Sequence, residues 1–182
     1  AWPLARLLEW LWNGAWRSGI QNGRMFFNDV PEAKGTLDFV GLNYYTHVLV
    51  GPASVSLLKM NFPKRRQEVA TEFGYPMYAE GLRRALDFLS PLGVPIEITE
   101  NGVADANDTL RTEHLKRHLW VLSQAMRDGH DVRSYHHWSL LDNFEWAEGY
   151  SMRFGLHHVN FETQERTLRP SGEVYRRIVE EH

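Results

Sequence analysis

Glu100 closes a short run, Ile96-Glu97-Ile98-Thr99, that follows Pro95 and is followed in turn by Asn101 and Gly102. β-Branched residues in such a run predict a buried strand that stops abruptly and presents its last side chains at a rim. An ionised carboxylate is costly to bury, so one at the end of an apolar strand is a candidate for chemistry, here a nucleophile at the mouth of a β/α barrel. A helix cap or a surface acid is the plainer alternative. Strict alternation would place Ile96, Ile98 and Glu100 on one face of the strand and Glu97 and Thr99 on the other. Two further stretches carry similar groups. Asn43 and Tyr45 end the run at residues 37–45, and Asp142 and Glu145 lie among Trp138, Phe144 and Trp146. Carboxylates and amides bind hydroxyl groups, and aromatic faces stack on the weakly electropositive C–H surfaces of sugars. Such a set at one rim suits a carbohydrate site, whereas taken singly Trp138 and Trp146 read as core and Asp142 as a loop cap.

The elements that would have to position these groups follow from periodicity. Leu4, Leu7, Leu8, Leu11, Trp12, Ala15 and Trp16 recur at helical spacing, predicting a helix over residues 3–17 that Gly19 and Asn22-Gly23 end. A loop with Pro31 and Gly35 leads to the strand at 37–45, nearly all apolar, as for a parallel strand covered on both faces. Residues 46–78 lose periodicity and read as a long loop over a functional face. Leu82, Ala85, Leu86 and Leu89 mark a helix ending before Pro91. After the Glu100 strand, a polar loop precedes a helix over residues 109–127, with Leu115, Leu119, Leu122 and Met126 as its stripe and Gly129 past its end. Residues 131–138 read as a strand, 159–168 as a hairpin around Glu162-Thr163-Gln164, and a last helix starts near Ser171 with Val174 and Ile178 inward. Alternating helices and strands predict parallel pairing, with the working residues at the carboxyl ends of the strands.

Composition narrows the partners. The net charge of −3 gives no reason to expect a nucleic acid, and Lys64-Arg65-Arg66 is short enough to be a solvated loop. With no cysteine there are no disulfides or thiolate metal sites. No apolar run approaches the roughly 20 residues that span a bilayer, so no membrane association is expected. A reducing, cytoplasmic setting is the expectation, and a chain that opens with Ala leaves its true start open. Seven Trp, seven Tyr and nine Phe are a heavy aromatic load, serving a core by default and a sugar site where they gather beside acids.

Four blocks carry a family resemblance: LDFVGLNYYT at residues 37–46, ITENGVAD at 98–105, WSLLDNFEWAEGY at 138–150 and RFGL at 153–156. Together the chain resembles the family-1 glycoside hydrolases, the β-glucosidase family, over nearly its whole length. The resemblance implies the C-terminal part of a (β/α)8 TIM barrel, about three strands with their helices, with residues 1–182 forming part of one catalytic domain. It implies that Glu100 is the nucleophile, that Tyr45 hydrogen-bonds it, and that Asn43 belongs to the same cluster. Trp138 is similar to the stacking platform under the non-reducing sugar. Glu145 and Trp146 resemble the pair that grips that sugar's far hydroxyls, and Phe154 would close its edge. The implied reaction is retaining hydrolysis of β-O-glycosidic bonds of β-glucosides or related sugars, through a glycosyl-enzyme intermediate, with no cofactor.

A retaining glycosidase needs a second carboxylic acid roughly 5–5.5 Å from the nucleophile. Glu97 faces the other way on the strand, and the resemblance occupies Glu145 with sugar hydroxyls. The family places the acid in an Asn-Glu-Pro motif on an earlier strand, a tripeptide absent from these residues. The expectation is therefore that activity needs an N-terminal remainder of the barrel, and that these 182 residues alone are inactive on aryl β-glucosides. A non-catalytic carbohydrate-binding protein and a 6-phospho-β-glycosidase are the alternatives; the charge of Glu145 would repel the phosphate of the second. Thioglucoside cleavage also turns on the missing acid. Departures from the family pattern include His136 in Ser134-Tyr135-His136-His137-Trp138, Asn160, Tyr75, Ala79 and Glu97. His114 and His118 lie one helical turn apart, but the residues between them, Leu115, Lys116 and Arg117, supply no acid, so no metal site is expected.

Overall fold

A computed structural model describes residues 3–48 and 67–181. The chain opens with helix α1 (Pro3–Glu9), a π-helical turn (Trp10–Gly14) and helix α2 (Ala15–Asn22). Helical structure thus runs past residue 17, and Gly19 does not end it. Gly19 is buried, and a β-carbon there would lie 3.4 Å from Met25, so the glycine lets the next segment pack closely. The true terminator is Gly23, which adopts a left-handed conformation at φ 70° and donates its N–H to the Gly19 carbonyl. The loop expected after it contains a minimal hairpin, β1 (Arg24–Met25) and β2 (Asn28–Asp29). Both strands are short and exposed, and so carry no periodicity.

The central sheet has three parallel strands in the order β3 (Val40–Asn43), β4 (Ile96–Asn101), β5 (Val132–His137). Helix α3 (Glu80–Leu89) connects the first pair and helix α4 (Arg111–Arg127) the second, which is the expected β/α alternation. Strand β3 is shorter than the apolar run at 37–45. It is also covered on one face rather than both: Val40 is buried, while Gly41 and Asn43 are exposed among the described residues. The covered face builds the core, where Val40, Ile96, Ile98 and Val132 meet Leu82, Leu86 and Leu89 of α3 and Val121, Leu122 and Ala125 of α4. Arg17 ties α2 to this layer, donating to the Phe88 carbonyl at 2.6 Å with its guanidinium 4.1 Å above the Phe88 ring.

Beyond β5 a loop leads to the hairpin β6 (His157–Val159) and β7 (Arg166–Leu168), then to helix α5 (Pro170–Glu181), where Val174 and Ile178 are half-buried. The described ends of the loop at 46–78 close on the sheet's carboxyl end. Both carboxylate oxygens of Glu72 accept the Ala106 N–H at 3.0 Å, and Thr71 and Tyr75 form a tight turn. Lys64-Arg65-Arg66 lies outside the described residues. Among the described residues no helix is long and apolar enough to cross a membrane, and no group of His, Asp and Glu is arranged to hold a metal ion.

Candidate active site

The register of β4 decides where Glu100 points. Ile98 pairs with Leu42 on one side and Tyr135 on the other. The next pairs are Glu100 with Asn43 and Asn101 with His137, so β4 carries an extra residue against both neighbours. This bulge breaks the alternation. Glu100 therefore does not share the face of Ile96 and Ile98. Asn101, fully buried, takes the next core-facing position, and Glu100 stays half-buried.

Tyr45 lies past the end of β3, and its phenol donates to Glu100 Oε2 at 2.7 Å. Burial, reinforced by that hydrogen bond and by the charge of Glu100, pushes the Tyr45 phenol well above its ordinary value, so it remains a donor. Beside this pair the Thr99 hydroxyl donates to Asn43 Oδ1 at 2.6 Å, leaving the Asn43 amide nitrogen as the group able to donate onward. Phe154 is 4% exposed and meets Tyr45 and Phe73 at ring distances of 6.3 Å, so it backs the phenol from behind.

The loop after β5 brings the second group. The Trp138 N–H donates to the Asn101 carbonyl at 2.9 Å, carrying the ladder one step beyond β5. Gly102 allows this approach, because a β-carbon there would fall 1.7 Å from the Trp138 carbonyl oxygen. Glu145 is half-buried, its charge acts on both Tyr45 and Tyr75, and its Oε2 is buried with no hydrogen-bond partner among the described residues. Trp146 is 81% exposed. Glu100, Tyr45 and Asn43 are thus in direct contact or adjacent on paired strands, and Glu145 approaches them through space. The structure gives Trp138 and Trp146 as a half-buried and an open indole on the same loop.

What holds that loop is a carboxylate first read as a simple cap. Asp142 has no exposed side-chain surface and takes both guanidinium nitrogens of Arg169, at 2.9 and 3.0 Å. It also accepts the N–H groups of Gly155 at 2.9 Å and Val159 at 3.2 Å, and lies 3.3 Å from Arg153. Burial alone would raise the Asp142 carboxyl; Arg169 and the amides outweigh it and hold it below the usual carboxylate range. A second buried cation, Arg111, donates to the carbonyls of Asp105 and Arg153 at 2.6 and 2.9 Å and pairs with Asp108. Asp108 in turn accepts the N–H and hydroxyl of Ser171 at 2.8 and 2.5 Å, pinning the start of α5. Sequence reasoning missed both Arg111 and Arg169. Asp105 and Asp108 near a helix start were a signal for the first, and nothing local marked the second.

His114 and His118 are both buried, and their rings stack at 3.9 Å. The Nδ1 of His118 is 2.8 Å from the His114 carbonyl, a bond internal to α4. They are core residues.

A family model for "Glycosyl hydrolase family 1" matches residues 20–182. The chain is 36% identical over 171 residues to a β-galactosidase of Pyrococcus woesei, covering 84% of this chain and 33% of that protein. It is 38% identical over 168 residues to β-glucosidase A of Thermotoga maritima, covering 84% and 36%. Its structure superposes on that of a Thermotoga maritima β-glucosidase in complex with galacto-hydroximolactam with a TM-score of 0.83 at 32% identity, covering 99% of this chain and 47% of the other. The chain spans about a third of the length of these curated relatives.

Proposed function

Given that this chain belongs to glycosyl hydrolase family 1 and has the fold of part of its α/β barrel, we propose that it carries the nucleophile side of a retaining β-glycosidase site. Residues 1–182 then form part of a single catalytic domain. The Glu100 carboxylate attacks the anomeric carbon of a β-glucoside or related sugar as the bond to the leaving oxygen breaks. A proton reaches that oxygen from an acid elsewhere in the longer protein. Water then releases the sugar from Glu100 with overall retention. Tyr45, fixed as a donor, keeps the attacking carboxylate aimed.

The remaining roles are those that the family resemblance implies. Asn43 donates to a hydroxyl beside the reacting carbon, and Trp138 stacks under the ring. Glu145 uses its unpartnered oxygen, with Trp146, to hold the far hydroxyls, and Phe154 bounds the site behind Tyr45. No cofactor enters. The observation that carries this reading is the 2.7 Å bond between Tyr45 and Glu100, at the carboxyl ends of adjacent parallel strands. The partner is a small β-glycoside or oligosaccharide. The unpartnered carboxylate of Glu145 favours neutral hydroxyls over a 6-phosphate.

The test is Glu100→Gln in the protein that carries this chain, assayed on an aryl β-glucoside with product configuration followed by NMR. We expect a rate loss on the order of 10⁴-fold or more, the scale seen on removing a nucleophile, and retention in the parent enzyme. Inversion, or an unimpaired Glu100→Gln variant, would overturn the reading.

A further inference from the structure

Asn101 does no chemistry in the proposed mechanism, yet it joins all three strands of the sheet at the level of the site. It is fully buried. Its Nδ2 donates to the Tyr44 carbonyl at 2.7 Å. Its Oδ1 accepts from the Tyr135 phenol at 2.9 Å, and its backbone carbonyl accepts the Trp138 N–H at 2.9 Å. The amide orientation is forced, because the Tyr44 carbonyl can only accept and so must face the nitrogen. Burial pushes the Tyr135 phenol upward, keeping it protonated and able to donate to Oδ1.

The backbone at Tyr44 needs this support. Strand β3 ends at Asn43, and the bulge in β4 interrupts the ladder there. Beyond it the backbone groups of Tyr44 are held by its N–H to the Glu100 carbonyl at 2.9 Å and by the Asn101 amide, while the Tyr44 phenol donates separately to the Tyr78 carbonyl at 2.5 Å. Tyr44 sits between Asn43 and Tyr45, so any shift of its carbonyl moves both neighbours relative to Glu100. We infer that Asn101, with Tyr135 orienting its amide, is a positioning residue that substitutes for the interrupted ladder and sets the distance between the Tyr45 phenol and Glu100. This rests on the proposed nucleophile role of Glu100.

The experiment compares Asn101→Asp and Tyr135→Phe with Glu100→Gln and the parent, in the protein that carries this chain. Steady-state rates on an aryl β-glucoside are measured alongside ¹³C NMR of the Tyr45 ring carbon that bears the hydroxyl. Asn101→Asp replaces the donor with an acceptor facing a carbonyl. It should lower kcat about 100-fold, as expected for a misplacement of about 1 Å, and change KM less than about threefold, which marks loss of an interaction realised in the transition state. Tyr135→Phe should lower kcat roughly tenfold in the same sense, and both variants should move the Tyr45 resonance. Should Asn101→Asp fail to fold, Tyr135→Phe, whose phenol touches neither Tyr45 nor Glu100, decides the matter. A normal kcat per folded molecule with an unmoved Tyr45 resonance would overturn the inference, whatever the melting temperature does. An active Glu100→Gln variant would sink the function instead, and the Tyr45 resonance would then decide the role of Asn101 alone.

Discussion

Asp142 and Arg169 are 27 positions apart and meet in a fully buried, two-pronged ion pair at 2.9 and 3.0 Å. The pair anchors the loop that carries Trp138, Glu145 and Trp146 to the residue just before α5. Breaking a buried pair on one side leaves an uncompensated charge. Arg169→Ala should therefore destabilise the protein by about 3–5 kcal/mol, measured by urea unfolding, and should weaken substrate binding. Asp142→Asn should do the same, because it also costs the Gly155 and Val159 amides a charged acceptor. A loss under about 1 kcal/mol would show that the loop is held by other means.

Tyr45→Phe removes one oxygen and leaves the ring that Phe154 backs. With the 2.7 Å donor to Glu100 gone, kcat should fall about 10–100-fold, the usual weight of one hydrogen bond to a charged group. Folding should be nearly unchanged. Equal rates for variant and parent would show that the phenol has no role in the reaction.

Two buried imidazoles and a half-buried one sit behind the site, and desolvation lowers all of them: His114 well below its ordinary value, His118 to about 4 and His137 to about 3. The unfolded chain takes up protons near pH 6.5 and the folded chain only at much lower pH. Stability is therefore full above about pH 6.5 and falls as the pH drops through 6 toward 4. Each of the three resists protonation in the folded chain, so each adds to the loss. The melting temperature should fall steeply across this window, and His137→Phe should flatten the fall. An unchanged slope in that variant would remove His137 from the account.

Gly102→Ala tests the close approach of β4 to the loop after β5. The added methyl would overlap the Trp138 carbonyl at 1.7 Å, a backbone atom that cannot move without shifting the Trp138 ring. We expect at least the 1–3 kcal/mol typical of overpacking and loss of affinity for the sugar. A variant with parental stability and KM would show that the backbone accommodates the methyl.

Much of the scaffold was legible because its signals are local. Strand β4 and helices α3 and α4 were read within two or three residues from apolar spacing and from the breakers Pro91, Pro95 and Gly129. Glu100, Asn43 and Tyr45 stood out as polar groups at strand ends. The facing of Glu100 was misread because a bulge is a relation between strands, and alternation counts one strand alone. Gly19 was misread because its reason is contact with Met25, not local chain preference. Arg111 and Arg169 went unread, because the Arg153 carbonyl that the first reaches and the Asp142 carboxylate that the second pairs with come from folding the chain back on itself.

Arg153 belongs to both buried charge clusters: its guanidinium reaches Asp142, and its carbonyl takes the Arg111 side chain and the Asp105 N–H. The loops after β4 and after β5 are consequently one cooperative unit. Neither can open without breaking bonds in the other, so their slowly exchanging amides should lose protection together rather than in sequence. The end of β4 that carries Glu100 and the loop that carries Trp138, Glu145 and Trp146 then fluctuate in concert, and their relative spacing outlasts the motion of either.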